Sequence, residues 1–535
     1  MEYLVSFFIA VLVSWILIPP LIHYAPQLGM LDLPGHRKVH SSVIPRCGGI
    51  AIAAGALLSA VVVLPFDTLY YSVIVGGAII VIFGIVDDVL EVNYKWKFLG
   101  QFLAIAYVIS QGVYIKIVPF MGMNDAPLLI SYILTVLFVV GSTNAVNLSD
   151  GLDGLAAGVM LLSLACIAIF CFFSGGLEVG VMAVGLIGGI LSFLHFNTHP
   201  ANVFMGDTGS QFIGFIVALL AILLTQNVST AYNPALPLLI MGLPILDTLS
   251  VMTQRIRAGQ SPFSPDKRHI HHKLLAYGFG HEQSVTIVYL LQAVFLIFAF
   301  WLRHSADWEV VGLYLLVSVL VLAAFYFAGK YHWKYHGETK EAEGQQISLK
   351  NYSWLFSFCR KYLGYSIICY LLFLQVCLLL VSQPALYLEL AFIILSFCIV
   401  RWTSIALLYD LIRMGVYGSV LFIFYVSANI LSIQQLIFTT ADLFFFFLFI
   451  VTSLAIMISR QTTFKLTTQD MLIFLIMMAA VFLIDTEYVV RTLLYLFCLR
   501  YALEYLFHKD NYHFRFLGFA TIFSILNFSV FFSLF

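Results

Sequence analysis

About 18 apolar runs, most close to the ~20 residues that a bilayer-crossing helix needs, fill most of this 535-residue chain. Lipid offers the backbone no hydrogen-bonding partner, so runs of this kind must satisfy their own N–H and C=O groups as helices. The chain therefore reads as an all-α, polytopic integral membrane protein. Only 10% of its residues are charged, against about a quarter in soluble proteins. The first eleven runs lie near Tyr3–His23, Gly49–Leu64, Leu69–Val86, Phe98–Val113, Pro127–Ser142, Leu155–Phe173, Val179–Leu194, Phe212–Leu224, Pro234–Met252, Val285–Leu302 and Glu309–Phe327. About seven more follow between Leu363 and Phe535. The first run has no cationic segment before it and no small-residue cleavage site after it, so it reads as a span rather than a removed signal.

Alternating these runs across a membrane gives a sidedness. With the loop after the first run placed inside, all but Lys116, Arg303 and Arg491 of the 26 Lys and Arg residues fall inside. Basic residues retain loops on the cytoplasmic side, so the assignment is self-consistent and puts the N-terminus outside. Residues 330–361 form the longest polar stretch and read as a cytoplasmic linker between a core of 1–329 and a C-terminal multi-span region, 362–535. The net charge of −1 argues for no particular partner and gives no sign of nucleic-acid binding. The eight cysteines show no CxxC spacing and read as small hydrophobes.

Four polar clusters interrupt the apolar pattern, and all fall inside. Ionisable groups at the edge of a span are costly and mark a working site by default. Asp87 and Asp88 are adjacent like charges, suited to holding a cation or to raising one pKa for proton exchange, or else form a solvated helix end. The second cluster, NAVNLSDGLDG, holds Asn144, Asn147, Asp150, Gly151, Leu152 and Asp153. Its two aspartates would share a face if the segment is helical; the alternative is a helix N-terminus capped by Asp. In the third, NVFMGDTGS, Asp207 sits in a glycine-flanked turn fit for a hard cation or for capping the next helix. Asn202 stands with it, and Phe204 could face lipid or stack on a planar base. The fourth holds Asp266, Lys267, Arg268, His269, His271 and His272. Three clustered histidines suit a transition metal, but the neighbouring cations favour a phosphate, and a solvated basic loop is the plain alternative. Carboxylates for a divalent metal and basic groups for phosphates at a bilayer edge suit phosphoryl transfer between a soluble diphosphate and a membrane-bound phosphate. A cation-coupled transporter is the competing class, though transporters place such groups near the midplane, often in inverted repeats, and no repeat is visible.

DDVLEVNYKWKFLGQ, NAVNLSDGLDGLAAG, NVFMGDTGS and SPFSPDKRHIHHKL, in that order, resemble the polyprenyl-phosphate N-acetylhexosamine-1-phosphate transferases. DLPGHRKVHSSVIPRCGG fits the same family, and the resemblance spans roughly Tyr3–Phe327. It implies transfer of a sugar-1-phosphate from a UDP-sugar to undecaprenyl phosphate with release of UMP, in a bacterial inner membrane with the site on the cytoplasmic face. The HIHH form resembles the branch using UDP-N-acetylglucosamine, which initiates O-antigen, enterobacterial common antigen or wall teichoic acid; UDP-MurNAc-pentapeptide ranks lower.

The resemblance also implies roles. Asp207 matches the family's magnesium-binding aspartate, with Mn²⁺ an alternative cofactor. Asp87 and Asp88 match its catalytic pair, Asp87 the better base, and Lys97 matches the lysine beyond them. Asp153, Gly151, Leu152 and Phe204 match a uridine pocket. Asn147 and Asp150 match positions near the nucleotide and diphosphate. His269, His271 and His272, with Arg268 beside them, match sugar or diphosphate contacts; Arg46 and Lys38 are weaker phosphate candidates. Family mechanisms divide between direct attack by the lipid phosphate and a covalent aspartyl intermediate, and direct attack is expected here. The extra spans from Leu363 to Phe535 lie beyond the resemblance, and docking a downstream glycosyltransferase, shaping the lipid site and stabilising an oligomer such as a homodimer are the roles open to them.

Overall fold

The computed structural model describes residues 2–33, 43–122, 125–261 and 268–334. The expectations for Lys38, Asp266, Lys267, most of the 330–361 linker and the region 362–535 lie outside the described residues. In the described part the apolar runs become helices in chain order: α1 (Glu2–Leu28), α2 (Gly48–Val63), α3 (Thr68–Leu90), α4 (Tyr94–Ser110), α5 (Leu128–Ser149), α6 (Leu155–Ser174), α7 (Leu177–Asn197) and α8 (Gly206–Leu223). They continue with α9 (Leu236–Ile240), α10 (Gly242–Arg257), α11 (Ile270–Ala276), α12 (His281–Trp301) and α13 (Asp307–Lys330). One short ribbon, β1 (Leu31–Asp32) against β2 (Ile44–Pro45), is antiparallel, with Leu31 opposite Pro45. Eight of these helices are long and apolar enough to cross a membrane; α2 and α4 are shorter. Large apolar side chains such as Ile16, Leu129 and Val319 point outward and are mostly exposed, as lipid-facing positions are.

The helices sit where hydropathy places them, but three boundaries differ from the sequence expectation. Stopping at polarity ends the fifth run at Ser142, yet α5 continues to Ser149. Its polar residues satisfy themselves on the preceding turn: Thr143 Oγ1 donates to Val139 O at 2.7 Å, Asn144 Nδ2 to Val140 O at 2.8 Å and Ser149 Oγ to Ala145 O at 2.8 Å. Helix α8 begins at Gly206, not near Phe212, because its polar first turn faces inward. The run Pro234–Met252 breaks at Met241 into α9 and α10. Pro244 then falls in the first turn of α10, where a missing N–H costs nothing.

Helix α8 is the axis of the bundle and is buried from Thr208 to Leu223. It packs against α3 and α5, with α2 and α6 also touching it, while α1 packs on α2 and α7. Close approach needs small residues, as is usual between membrane helices. A side chain at Gly49 of α2 would strike the backbone of Gly209 in α8. The same crossing is tied by Gly48 N donating to Phe204 O and Gly49 N to Met205 O, each 2.9 Å. The chain alternates direction, so the described segments 29–33, 43–47, 91–93, 150–154, 198–205, 258–261 and 268–280 gather at one end of the bundle.

Candidate active site

The end of the bundle that collects these segments holds a cavity of about 370 Å³. Its wall is made by Asp32, Arg46, Asn147, Asp150, Gly151, Leu152, Asp153, Asn197, His199, Phe204, Gly206, Asp207, Ser210, His272 and His281. The site is therefore at span ends, not at the middle of the bundle, which is not the placement expected of a transporter.

The head of α8 is tied to α3 by hydrogen bonds. An isolated helix N-terminus leaves N–H groups without partners. Here Asp88 of α3 supplies them from a neighbouring helix: its Oδ1 accepts from Asp207 N (2.8 Å), and its Oδ2 from Thr208 N (2.9 Å) and Thr208 Oγ1 (2.6 Å). Asp207 itself stands in the first turn, so capping falls to Asp88 and Asp207 is left for other work. Gly206 makes this possible. Its φ is +69° and a Cβ there would press on the Asp88 carboxylate.

Asp87, one residue before the capping aspartate, turns the other way. Lys97 Nζ lies 2.7 Å from Asp87 Oδ2 and 3.2 Å from Asp207 Oδ2. Asn147 Nδ2 donates to Asp207 Oδ1 (2.5 Å) and to Ser210 Oγ (2.8 Å). One lysine thus gathers two carboxylates from α3 and α8, and α5 holds the second from its far side.

The segment NAVNLSDGLDG divides by task. Asn144 donates to Gln101 Oε1 (2.8 Å) and does not line the cavity. Asn147, Asp150, Gly151, Leu152 and Asp153 do. Asp150 and Asp153 do not share a helix face as a helical segment would require: Asp150 ends α5 and Asp153 lies in the turn before α6. Asp150 opens on the cavity and its side chain is accessible there. The protein crowded around it, then the negative charge of Asp207, Asp153, Asp88 and Asp32, pushes its pKa up. Asp153 Oδ2 accepts from Ala201 N (3.2 Å) and meets His199 Nδ1 at 2.6 Å.

The histidines also separate. His272 lines the cavity. His269 is buried, with Nδ1 2.8 Å from Asp247 Oδ2, and Ile270 N donates to Asp247 Oδ1 at 3.0 Å. His271 is buried with Nε2 packed on Gly151; burial, then the charges of His272 and His269, lowers its pKa to about 3 against the pull of Asp247. Among the described residues these three rings do not converge as a metal cluster. Arg268 donates to Gln260 Oε1 (3.1 Å) at the surface, and Phe204 lines the cavity.

Asn197, His199 and His281 were absent from the sequence expectation, and Asp32 and Ser210 entered it only within the motifs DLPGHRKVHSSVIPRCGG and NVFMGDTGS. Asn197 joins the two central loops, accepting from Gly154 N and donating to Val203 O, each 2.7 Å. Asn197 and His199 stand directly before NVFMGDTGS, where a polar pair at a span end was the available signal. Asn202, which the motif suggested, is exposed and off the cavity. Arg46 is on the wall, held by Asp32 (3.3 Å), Glu91 (2.7 Å) and Leu31 O (3.2 Å).

The model of glycosyl transferase family 4 matches residues 70–225, which include Asp87, Asp88, Lys97, Asn147, Asp153 and Asp207. A Bacillus subtilis (strain 168) protein, "Probable undecaprenyl-phosphate N-acetylglucosaminyl 1-phosphate transferase", is 38% identical over 310 residues, covering 57% of this chain and 86% of the relative. "Decaprenyl-phosphate N-acetylglucosaminephosphotransferase" of Mycobacterium tuberculosis (strain ATCC 25618 / H37Rv) is 35% identical over 317 residues, 52% of this chain and 78% of that protein. "Undecaprenyl-phosphate alpha-N-acetylglucosaminyl 1-phosphate transferase" of Escherichia coli (strain K12) is 30% identical over 309 residues, 55% and 83%. With its ordered motifs drawn to one cavity and a relative of this similarity covered over most of its length, the chain belongs to the polyprenyl-phosphate sugar-1-phosphate transferases of glycosyl transferase family 4.

Proposed function

We propose that the protein transfers N-acetylglucosamine-1-phosphate from UDP-N-acetylglucosamine to undecaprenyl phosphate and releases UMP. The observation that carries this reading is Lys97 held between Asp87 and Asp207 at the head of α8, beside the cavity wall. A phosphate oxygen of the lipid bonds to the β-phosphorus of the donor. The bond from that phosphorus to the bridging oxygen breaks, and UMP leaves with the electron pair. Asp87 takes the proton of the lipid phosphate, raising the charge on the attacking oxygen. Lys97 orients both carboxylates and offsets charge gathering on the phosphoryl oxygens. Direct attack is favoured over an aspartyl intermediate because Asp88 is engaged by three donors and Asp87 and Asp207 share one lysine.

The donor set suits a hard divalent cation. Among the described residues, Asp32, Asp150, Asp153 and Asp207 line the cavity against Arg46 as the one Lys or Arg of its wall, a set of oxygen donors that a divalent cation would balance. Asp207 would hold Mg²⁺, or Mn²⁺, with its carboxylate oxygens. When bound, the ion neutralises charge on the diphosphate. The wall of Gly151, Leu152, Asp153 and Phe204 takes the uridine. His272 and Arg46 are placed for the sugar or its phosphates. The basic residues near this end, including Arg255, Arg257, Lys273 and Lys330, support a cytoplasmic site in a bacterial inner membrane.

Purified protein with UDP-N-acetylglucosamine, undecaprenyl phosphate and Mg²⁺ should release UMP, and Asp207→Asn should remove that release by about 10²-fold or more. Absence of turnover by the wild type with any UDP-N-acetylhexosamine would overturn the proposal.

A further inference from the structure

Asp153 is held from three sides, and the residue that does most of the holding is His199. Its Nδ1 lies 2.6 Å from Asp153 Oδ2, and Ala201 N, 3.2 Å away, donates to the same oxygen. The His281 ring, whose Nε2 donates to Asp153 O at 3.3 Å, stacks on His199 with centroids 4.0 Å apart and planes 16° from parallel. Asp153 Oδ1 has no partner among the described residues, and the side chain is on the cavity wall.

Asp153, His199 and His281 bring their ligand atoms within 4.8 Å of one another, a spacing that invites a metal. The stacking argues against one. An imidazole nitrogen binds a metal in the plane of its ring, and two nearly parallel planes do not meet at a nearby ion. The same geometry suits a different task. A neutral or charged imidazole can donate from Nδ1 alike, so the bond to Asp153 holds in both forms and fixes the carboxylate plane. The His281 stack fixes the ring that fixes the carboxylate.

We propose that His199, braced by His281, is a positioning residue that aims Asp153 Oδ1 at the base of the nucleotide donor and so sets the preference for uracil over cytosine. This rests on the nucleotide-sugar reading above. Uracil carries an imide N–H that a carboxylate accepts. Cytosine presents a bare acceptor nitrogen at the same place, so two acceptors would face each other. A site built around a hydrogen bond rejects a ligand that leaves it unmade far better than a merely shaped pocket does. A carboxylate free to rotate would lose that discrimination while still admitting either base.

The test measures steady-state turnover with UDP-N-acetylglucosamine and binding of UMP and CMP by equilibrium dialysis, on wild type, His199→Ala and His199→Asn. Removing the donor should raise the nucleotide-sugar KM about tenfold, with kcat and the lipid KM within about threefold, and should narrow the UMP-over-CMP preference by a similar factor. His199→Asn, whose amide N–H can reach Asp153, should restore much of both. An unchanged UMP-over-CMP ratio in His199→Ala overturns the inference, as does a fall in kcat alone or a loss that Asn does not restore. If His199→Ala fails to fold, the Asn variant and Asp153→Asn carry the test, and Asp153→Asn must then lose the UMP preference. A wild type that turns over no UDP-sugar brings down the transferase proposal itself. A wild type that works beside an indifferent His199→Ala brings down this inference alone.

Discussion

Asp88 accepts three hydrogen bonds from the first turn of α8, whereas Asp87 reaches Lys97. Each donor stranded in a buried site costs about 1–3 kcal/mol, so Asp88→Ala should destabilise the detergent-solubilised protein more than Asp87→Asn does. Asp87→Asn should keep its melting temperature and lose about 10²–10⁴-fold in turnover, the range for a removed general base. A larger stability loss in Asp87→Asn would reverse the two assignments. The doublet DD shows that charge is gathered there; that its members face opposite ways depends on Gly206 and Thr208, about 120 residues on. His271 gives a pH dependence. Its pKa is lowered from 6.5 to about 3 in the folded protein. Below pH 6.5 the unfolded chain therefore takes up a proton that the folded chain refuses, and stability falls as pH drops toward 3. Thermal melts between about pH 7 and about pH 5 should show the fall, and His271→Gln should flatten it. An equal slope in that variant would mean another group carries the effect.

At the scale of helices, the buried polar ties decide how α8 is held. Gln101 Nε2 of α4 donates to Gln211 Oε1 of α8 at 2.9 Å, and Asn144 Nδ2 of α5 donates to Gln101 Oε1 at 2.8 Å. Such bonds between membrane helices are worth about 0.6 kcal/mol on average and about 1.7 at most, while a stranded buried donor costs about 1–3. The second effect is the larger, so Gln211→Leu should lower unfolding stability by about 1–2 kcal/mol. An unchanged melt would mean that Gln101 finds another acceptor. Apolar runs located the helix interiors because burial and lipid both demand apolar surface. They did not locate helix ends, because residues such as Asn144 and Ser149 are polar yet satisfied by the helix itself. The break at Met241 was hidden for the converse reason: the run stays apolar through it, and only Pro244 hints at a new start.

Across the whole molecule, the alternation of spans anticipates that the four polar clusters share one face, and the bundle brings Asp87, Lys97, Asn147, Asp150, Asp153, Asp207 and His272 to one end. The choice of side chains that enter the cavity is tertiary. His269 and His271 turn to Asp247 and Gly151, while Asn197, His199 and His281 arrive from the end of α7, the loop after it and the start of α12 without any local pattern. Sugar-1-phosphate transfer and plain sugar transfer differ in which bond of the donor breaks. Donor UDP-N-acetylglucosamine labelled with ³²P at the β-phosphate, incubated with undecaprenyl phosphate and Mg²⁺, separates the outcomes by where the label goes. Transfer of sugar-1-phosphate predicts label in the lipid phase in equal amount to the UMP released, and about 10²-fold less or lower in Asp207→Asn. Label retained in water as UDP, with sugar alone on the lipid, would contradict the account.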